Sequence, residues 1–271
     1  MMNHAMTGSN EKRQLNIIDR STEGLGEAMP SKTVEVSDGA IFDLEARAVF
    51  KNINGKMIRM YAYNNQIPGP LITVKQGSTI YVNFTNSLEL ETTIHWHGLR
   101  HDFKFDGVVD ISQPPVKPSQ IFLYQLKFPD AGIFWYHPHI REDLQQELGL
   151  YGNTIVEPKD ENYLNKVNKE VALFLDDIRM SGNDIDSFNK DKATFTLMGR
   201  FGNLMLLNGE TDYNLNVSRG ETARFYLTDS ANTRTFNFSI EGHKMKLVGS
   251  DIGKFEKEMI IDSVVISPGE R

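Results

Sequence analysis

The chain has 271 residues, 39% of them hydrophobic and 24% charged, and its 29 Lys and Arg against 36 Asp and Glu give a net charge of −7. A negative chain lacks the broad positive field that binds phosphate backbones and anionic membranes, so no nucleic-acid partner is expected. The absence of cysteine excludes disulfides, thiolate metal sites and cysteine nucleophiles.

The length predicts about two domains, at roughly 150 residues each. Residues 1–31 precede them and are polar, with scattered Gly, Ser, Asn and Pro and no periodicity, so we interpret them as a flexible N-terminal arm. They contain no apolar stretch that could form a signal-peptide core. No run in the chain approaches the ~20 apolar residues of a transmembrane segment, so none is expected.

A first block of strands is predicted over residues 32–158. Short alternating or aromatic runs, among them TIYVNFTN, QIFLYQLKF and GIFWYHPH, are punctuated by Gly, Pro and Asn at the spacing of an all-β sandwich. Only residues 141–152 have helical character, and they predict one or two turns at most.

A charged, Asn-rich segment at residues 159–169 is interpreted as a linker, and a second series of strands is predicted over residues 170–271. This series includes EVALFLDDI, ATFTLMG and YNLNVSRG. The segment NNQIPGPLITVKQGSTIYVNFTN can be aligned with LNGETDYNLNVSRGETARFYLTD, with Gly77 over Gly220. A duplicated β-sandwich is the simplest explanation.

The second sandwich is expected to be incomplete at its C-terminus. In the first copy the turn PVKPSQ is followed by further strands, whereas the matching turn of the second copy, SPGER, is the last segment of the sequence. A sandwich without those strands would expose unpaired backbone at a sheet edge. We therefore expect the chain to be part of a longer polypeptide.

Four of the seven histidines form two His-X-His pairs, His95 with His97 and His137 with His139. Residues i and i+2 of a strand project from the same face, so each pair directs two imidazoles in one direction. Pro138 cannot donate to a sheet ladder, which predicts a sheet edge or bulge for the second pair. Four imidazoles without thiolate or carboxylate favour copper or zinc.

The other three histidines, His4, His101 and His243, have no such partner, and a structural or solvated role is expected for each. The second sandwich has TFNFSIEGH where the first has TIHWHG, so it has no His-X-His pair. It is expected to pack and to position the first sandwich without binding metal.

The sequence IHWHG, together with GIFWYHPHIREDLQQELGLYG, resembles the first two copper-binding motifs of the multicopper oxidases, the laccase-like family of consecutive cupredoxin domains. The resemblance extends over about residues 33–271, where LMLLNG through VVISPGER is similar to the family's middle domain. It implies an all-β fold of tandem cupredoxin-like Greek-key β-sandwiches.

The resemblance also implies a role for each paired histidine. His95 would bind the type 2 copper, His97 and His137 one copper of the type 3 pair, and His139 the other. Asp106, in the sequence FDG, matches the family's acidic residue near the type 2 copper, which orients water and assists proton delivery. An Asp before Gly is equally well interpreted as a turn residue.

Complete members of the family carry a third cupredoxin domain with a His-Cys-His motif, and a blue-copper centre needs a thiolate. This chain has no cysteine. The type 1 copper is therefore expected only in a missing third domain or chain, with this chain supplying half of the ligands of the trinuclear cluster and inactive alone.

The resulting interpretation is the N-terminal part of a laccase-like oxidase. The intact enzyme would couple one-electron oxidation of a small donor, a phenol, an amine or a metal ion, to the four-electron reduction of dioxygen to water. By resemblance it would work outside the cytoplasm, in the periplasm or secreted. Trp96, Trp135 and Tyr136 are expected to pack around the site without relaying electrons.

Two alternatives remain open at the level of sequence. A mononuclear zinc hydrolase or hydratase would use three of the four histidines around a metal-bound water. The other alternative is a non-catalytic scaffold or interaction protein built from cupredoxin repeats.

Overall fold

The computed structural model describes residues 19–188 and 192–271. The first series of strands comprises β1 (Thr33–Glu35), β2 (Ile41–Ile53), β3 (Lys56–Tyr63), β4 (Leu71–Lys75), β5 (Thr79–Asn86), β6 (His95–His97), β7 (Ile121–Lys127), β8 (Gly132–His137) and β9 (Gly152–Glu157). A 3-10 turn at Phe103–Phe105 follows β6, and helix α1 (Glu142–Gln145) follows β8.

The first nine strands form two sheets packed as a sandwich. One sheet has the order β3-β2-β5-β7 and the other the order β1-β4-β9-β8-β6. Strand β5 alternates strictly between half-buried and buried residues, as expected for a strand with one face on a core. Large side chains, including Phe84, Trp96 and Tyr124, fill the space between the sheets and are almost completely buried.

The second series comprises β10 (Lys169–Ile178), β11 (Met180–Ser181), β12 (Asp184–Ile185), α2 (Lys192–Met198), β13 (Leu204–Leu207), β14 (Ala223–Asp229), β15 (Phe236–Ser239), β16 (Met245–Gly249), β17 (Lys254–Ile261) and β18 (Ser263–Ile266). The duplication is visible in the pairing. Strand β2 pairs antiparallel with β3 and parallel with β5, and β10 pairs antiparallel with β13 and parallel with β14. The predicted fold class, tandem β-sandwiches, is confirmed.

The two copies differ beyond this shared three-strand unit. In the first, β5 also pairs with β7. Within residues 19–188 and 192–271, β14 has β10 as its only strand neighbour. Much of the second series is correspondingly open, and β17 is exposed along nearly its whole length.

Two predicted strands of the second series are wrong. ATFTLMG forms helix α2, which ends where Gly199 adopts a left-handed φ of +80° and its N–H donates to the carbonyl of Phe195. The alternation of apolar residues in this segment was too weak to indicate a strand, and the glycine that follows was the stronger indication of a helix end. YNLNVSRG forms no strand.

Only part of the predicted N-terminal arm belongs to the described residues. Residues 1–18, which include His4, lie outside them. Glu27 and Met29 form backbone bridges to Phe50 and Gln66, so the C-terminal end of the arm lies on the first sandwich. The segment at 159–168 contains no strand. In the part of the chain that the structure describes, no helix has the length and apolar character needed to cross a bilayer.

Candidate metal centre

The two His-X-His pairs lie on neighbouring strands at one end of the first sandwich. Strands β6 and β8 are antiparallel, and their register places His95 opposite His137 and His97 opposite Trp135. Strand β6 is the edge of its sheet. The first pair therefore lies on the edge strand. The second pair begins in β8, which lies between β9 and β6, and Pro138 follows the end of that strand. The prediction of a sheet edge or bulge for the second pair is wrong.

All four imidazoles gather in one cluster. The ring centroid of His95 lies 5.4 Å from those of His97 and His137 and 4.4 Å from that of His139. The ligand atoms of His95, His137 and His139 lie within 4.8 Å of one another. The Nδ1 of His97 is 3.3 Å from the Nε2 of His137. Two motifs that are separated by forty-two positions in the chain, 95 against 137, therefore form one potential metal site.

The surroundings favour the neutral form of three of these imidazoles, those of His95, His97 and His137. Burial and the nearby guanidinium of Arg271 lower the pKa of His97 to about 3. Burial and the neighbouring imidazoles lower the pKa of His137 well below its usual value, and burial also lowers the pKa of His95. A neutral imidazole offers the lone pair that a metal ion requires.

Backbone carbonyls fix the orientation of two rings. The Nδ1 of His95 lies 2.7 Å from the carbonyl oxygen of Asp106, and the Nδ1 of His137 lies 3.1 Å from that of Pro138. Because a carbonyl oxygen only accepts, each Nδ1 carries the proton and each Nε2 presents its lone pair. This arrangement is typical of metal-binding histidines.

Asp106 lies beside the cluster, and both interpretations of it find support. Its Oδ1 is 3.4 Å from the Nδ1 of His95. It also ends a tight turn, because Gly107 has a φ of +78° and a Cβ at that position would lie 2.0 Å from the carbonyl oxygen of Ile94. The turn is what brings the carboxylate to His95; a part in proton delivery stays a prediction.

His101 has no paired histidine in the sequence and was therefore not selected as a site residue. Its side chain is only 1% exposed, so a solvated role is wrong. The Nδ1 donates to the carbonyl of Asp102 at 3.0 Å, and the Nε2, which has no hydrogen-bond partner, lies 3.7 Å from Oδ1 of Asp106. His243, by contrast, is exposed.

Aromatic side chains enclose the cluster. The ring of Trp135 stacks on His137 with 4.0 Å between centroids and an interplanar angle of 18°. Trp96 points to the opposite face of β6, into the core, where it packs against Tyr124 and Tyr136. These contacts agree with the packing role expected for the aromatic residues.

The second sandwich reaches the cluster through its SPGER segment. A Cβ added at Gly269 would lie 3.3 Å from Cε1 of His97, so the backbone of this turn approaches the ring closely. The side chain of Arg271 is 6% exposed and donates from Nε to the carbonyl of Ile133, in β8, at 3.2 Å. Nothing in the local sequence indicated this contact.

The second sandwich also holds the turn that follows the second histidine pair. Arg200 and Glu147 form an ion pair whose side chains are 6% and 3% exposed. The Nε2 of Gln146 donates to the carbonyl of Ser230 at 2.7 Å, and the Nδ2 of Asn232 donates to that of Asp143 at 3.0 Å. Residues 143–147, just after His139, are therefore anchored to the other sandwich.

The donor set is chemically suited to a borderline transition metal. The cluster has four imidazoles, three of which have lowered pKa values, with no thiolate and with carboxylates only at its periphery. Imidazole ligands of this kind suit copper and zinc.

Comparison with known proteins gives a consistent result over nearly the whole chain. Two sequence models described as multicopper oxidase match residues 47–161 and 161–271. The chain is 27% identical to copper resistance protein A of Pseudomonas syringae pv. tomato over 90% of its own length and 46% of that protein. It is 33% identical to laccase-1 of Thanatephorus cucumeris over 77% of its own length and 39% of that protein.

The fold comparison agrees. The crystal structure of a multi-copper oxidase from Pseudomonas thermotolerans matches with a TM-score of 0.78 at 29% identity, covering 88% of this chain and 57% of that one. The chain spans about half or less of the length of the curated relatives it matches.

Proposed function

The chain belongs to the multicopper oxidase family, and we propose that His95, His97, His137 and His139 hold copper at the mouth of its first sandwich. The observation that carries this proposal is the register of β6 and β8, which sets His95 opposite His137 and gathers four imidazoles in one cluster. Imidazoles are the ligands that copper prefers among the groups present, and three of the four lie on a rigid sheet.

The division of ligands follows the family pattern. His97 and His137 share one copper of the type 3 pair, and the 3.3 Å between their Nδ1 and Nε2 atoms supports a common ion. His139 binds the second copper of the pair, and His95 binds the type 2 copper. The nearby Oδ1 of Asp106 can hold a water beside His95, which suits a part in proton delivery.

The activity we propose for the whole protein is the oxidation of a small electron donor by dioxygen, which is reduced to water. Bound copper would supply the one-electron redox chemistry and the binding of dioxygen. The residues of this chain orient the imidazoles and keep three of them neutral, and Trp135 covers the ring of His137 against water. The proposal includes that the whole protein works outside the cytoplasm, in the periplasm or secreted.

The thiolate of a type 1 copper has to come from outside these residues, because the chain has no cysteine. We propose that a third cupredoxin domain or another chain supplies it, with the remaining cluster ligands. Electron entry from the donor would then take place outside the two sandwiches.

Metal loading of the chain tests the proposal. After exposure to equal copper and zinc, the chain is expected to retain copper, and His137→Ala and His95→Ala are expected to lose most of it. His243→Ala, which replaces an exposed histidine of the second sandwich, is the matched control and should retain copper. One zinc per chain, or copper retained by both variants of the cluster, would overturn the copper assignment and favour the zinc enzyme or the scaffold.

A further inference from the structure

His139 is the ligand that the sheet does not hold. His95 and His97 are in β6 and His137 ends β8, whereas His139 follows the strand. The Nδ1 atoms of His95 and His137 face backbone carbonyls. The Nδ1 of His139 instead lies 3.0 Å from the carboxylate Oε1 of Glu142, three residues further along the chain.

We propose that Glu142 is a positioning residue that fixes the tautomer and the orientation of the His139 imidazole; its consequence for copper rests on the function proposed above. A carboxylate only accepts hydrogen bonds, so Nδ1 of His139 carries the proton and Nε2 presents its lone pair. The ring centroid of His139 lies 4.4 Å from that of His95 and 5.3 Å from that of His137, so this ring belongs to the same cluster.

The backbone around Glu142 is held in place, which a positioning residue requires. Arg141 adopts a left-handed conformation, with a φ of +46°, and reverses the chain between His139 and α1. Glu142 begins α1, and its carbonyl accepts the N–H of Gln146 at 3.1 Å. Gln146 in turn donates to the carbonyl of Ser230 in the second sandwich. The turn that carries Glu142 is therefore tied to both sandwiches.

The neighbouring acid has a different partner. The carboxylate of Asp143 accepts hydrogen bonds from Nε and Nη2 of Arg141, at 2.9 and 3.0 Å. Its carboxylate is thus occupied away from His139, and it carries the same charge on the same turn as Glu142. This makes Asp143 a matched control for the loss of one negative charge next to the site.

The pair is half exposed, with the His139 side chain 27% and the Glu142 side chain 46% exposed. Exposed ion pairs contribute little to folding. The effect of Glu142 should accordingly appear in the state of one imidazole and in metal affinity, and only weakly in thermal stability. A change in the tautomer and in copper affinity without a change in melting temperature therefore distinguishes a positioning role from a structural one.

The first test uses the metal-free full chain labelled with 15N-histidine. Long-range 1H–15N NMR spectra distinguish the two neutral tautomers, and His139→Gln assigns the signals of residue 139 by their absence. We expect the Nδ1–H tautomer in the unchanged chain and in Glu142→Gln, whose amide oxygen still accepts. Glu142→Ala should shift the ring toward the Nε2–H tautomer, and Asp143→Asn should not.

The second test measures copper affinity by competition with a chelator. Glu142→Ala is expected to bind copper about 10- to 100-fold more weakly, as for other residues that orient a metal-ligating histidine. Glu142→Gln should recover most of the loss, and Asp143→Asn should stay within about threefold. Equal melting temperatures for the three variants would exclude a folding defect.

The proposal is overturned if Glu142→Ala keeps the Nδ1–H tautomer, or if Asp143→Asn weakens copper binding as much as Glu142→Ala does. The tautomer is read without metal, so it decides the role of Glu142 even if the chain prefers zinc. A normal tautomer pattern with no copper binding would therefore refute the proposed function and leave Glu142 as the residue that orients His139.

Discussion

The two sandwiches share a three-strand unit and use buried polar groups in opposite ways. The first gathers half-buried and buried imidazoles, three of which have lowered pKa values, and backbone carbonyls lie against the Nδ1 atoms of two of them. The second pairs buried carboxylates with arginines: its Arg234 pairs with its own Asp177, and its Arg200 pairs with Glu147 of the first sandwich. One copy of the repeat provides the proposed copper ligands, and the other holds the turn that follows them.

The second sandwich supports the first despite its lack of a histidine pair. Asn232 contacts α1, Ser230 and Arg200 contact Gln146 and Glu147 just after it, and Gly269 and Arg271 contact β6 and β8. A duplicated domain without a histidine pair can thus still support the proposed metal site through the residues that pack against it.

The largest expected effect is the loss of the buried ion pair between the copies. Arg200→Met should lower the free energy of unfolding by about 3–5 kcal/mol, because it leaves the carboxylate of Glu147 buried without its cation. Amide hydrogen exchange at residues 144–148 should increase in the same variant. Chemical unfolding and exchange measured by mass spectrometry would check both.

Two further variants make that test specific. Lys244→Met removes an exposed pair in the same sandwich, whose side chains are 70% and 82% exposed, and should change stability by less than about 0.5 kcal/mol. The double variant Glu147→Gln with Arg200→Met should recover part of the loss. If exchange in residues 144–148 stayed unchanged in Arg200→Met, the second sandwich would not hold α1.

A smaller effect is expected in the first sandwich at the turn that carries Asp106. Gly107→Ala should cost about 2–3 kcal/mol, since it combines backbone strain with a Cβ placed against the carbonyl of Ile94. It should also weaken metal binding by displacing Asp106 from His95. Gly55→Ala is the control: Gly55 has the same φ of +78° with open space around it, so only about 1 kcal/mol should be lost. Equal losses at the two glycines would contradict the close approach.

The smallest effect is a contrast in pH dependence between the copies. Burial lowers the pKa of His97 to about 3, so the folded metal-free chain binds fewer protons than the unfolded one, and stability is lost as the pH falls below about 6.5. Burial raises the pKa of Asp229 to about 7, so its contribution has the opposite sign and stability is lost as the pH rises from about 4 to 7.

Replacing Asp229 should remove the loss of stability that its ionisation causes as the pH rises. Asp229 is fully buried and one carboxylate oxygen has no hydrogen-bond partner. Asp229→Asn is expected to stabilise the metal-free chain by about 1–2 kcal/mol at pH 8 and to have little effect at pH 4, as measured by chemical unfolding at both values. The exposed Glu241→Gln should show no such dependence. A stabilisation of equal size at both pH values would rule out ionisation as its cause.

Much of the candidate site could be predicted from the sequence because it rests on local geometry. The period of two in a strand directs His95 and His97 to one face, and the structure has both in β6. The same rule failed for ATFTLMG, where a weak alternation competed with a helix-terminating glycine. Glu142 and His101 were not selected, because a single charged or unpaired residue near a motif is common and carries little information alone.

The order and character of the elements can be deduced from the sequence: two related sandwiches, two histidine pairs, and no thiolate. The pairing of β6 with β8, which sets His95 opposite His137, and the ion pair between Arg200 of one copy and Glu147 of the other are visible only in the folded chain. Periodicity is a property of consecutive residues. Register, burial and ion pairing depend on segments far apart in the chain, and the packing of the whole core sets them.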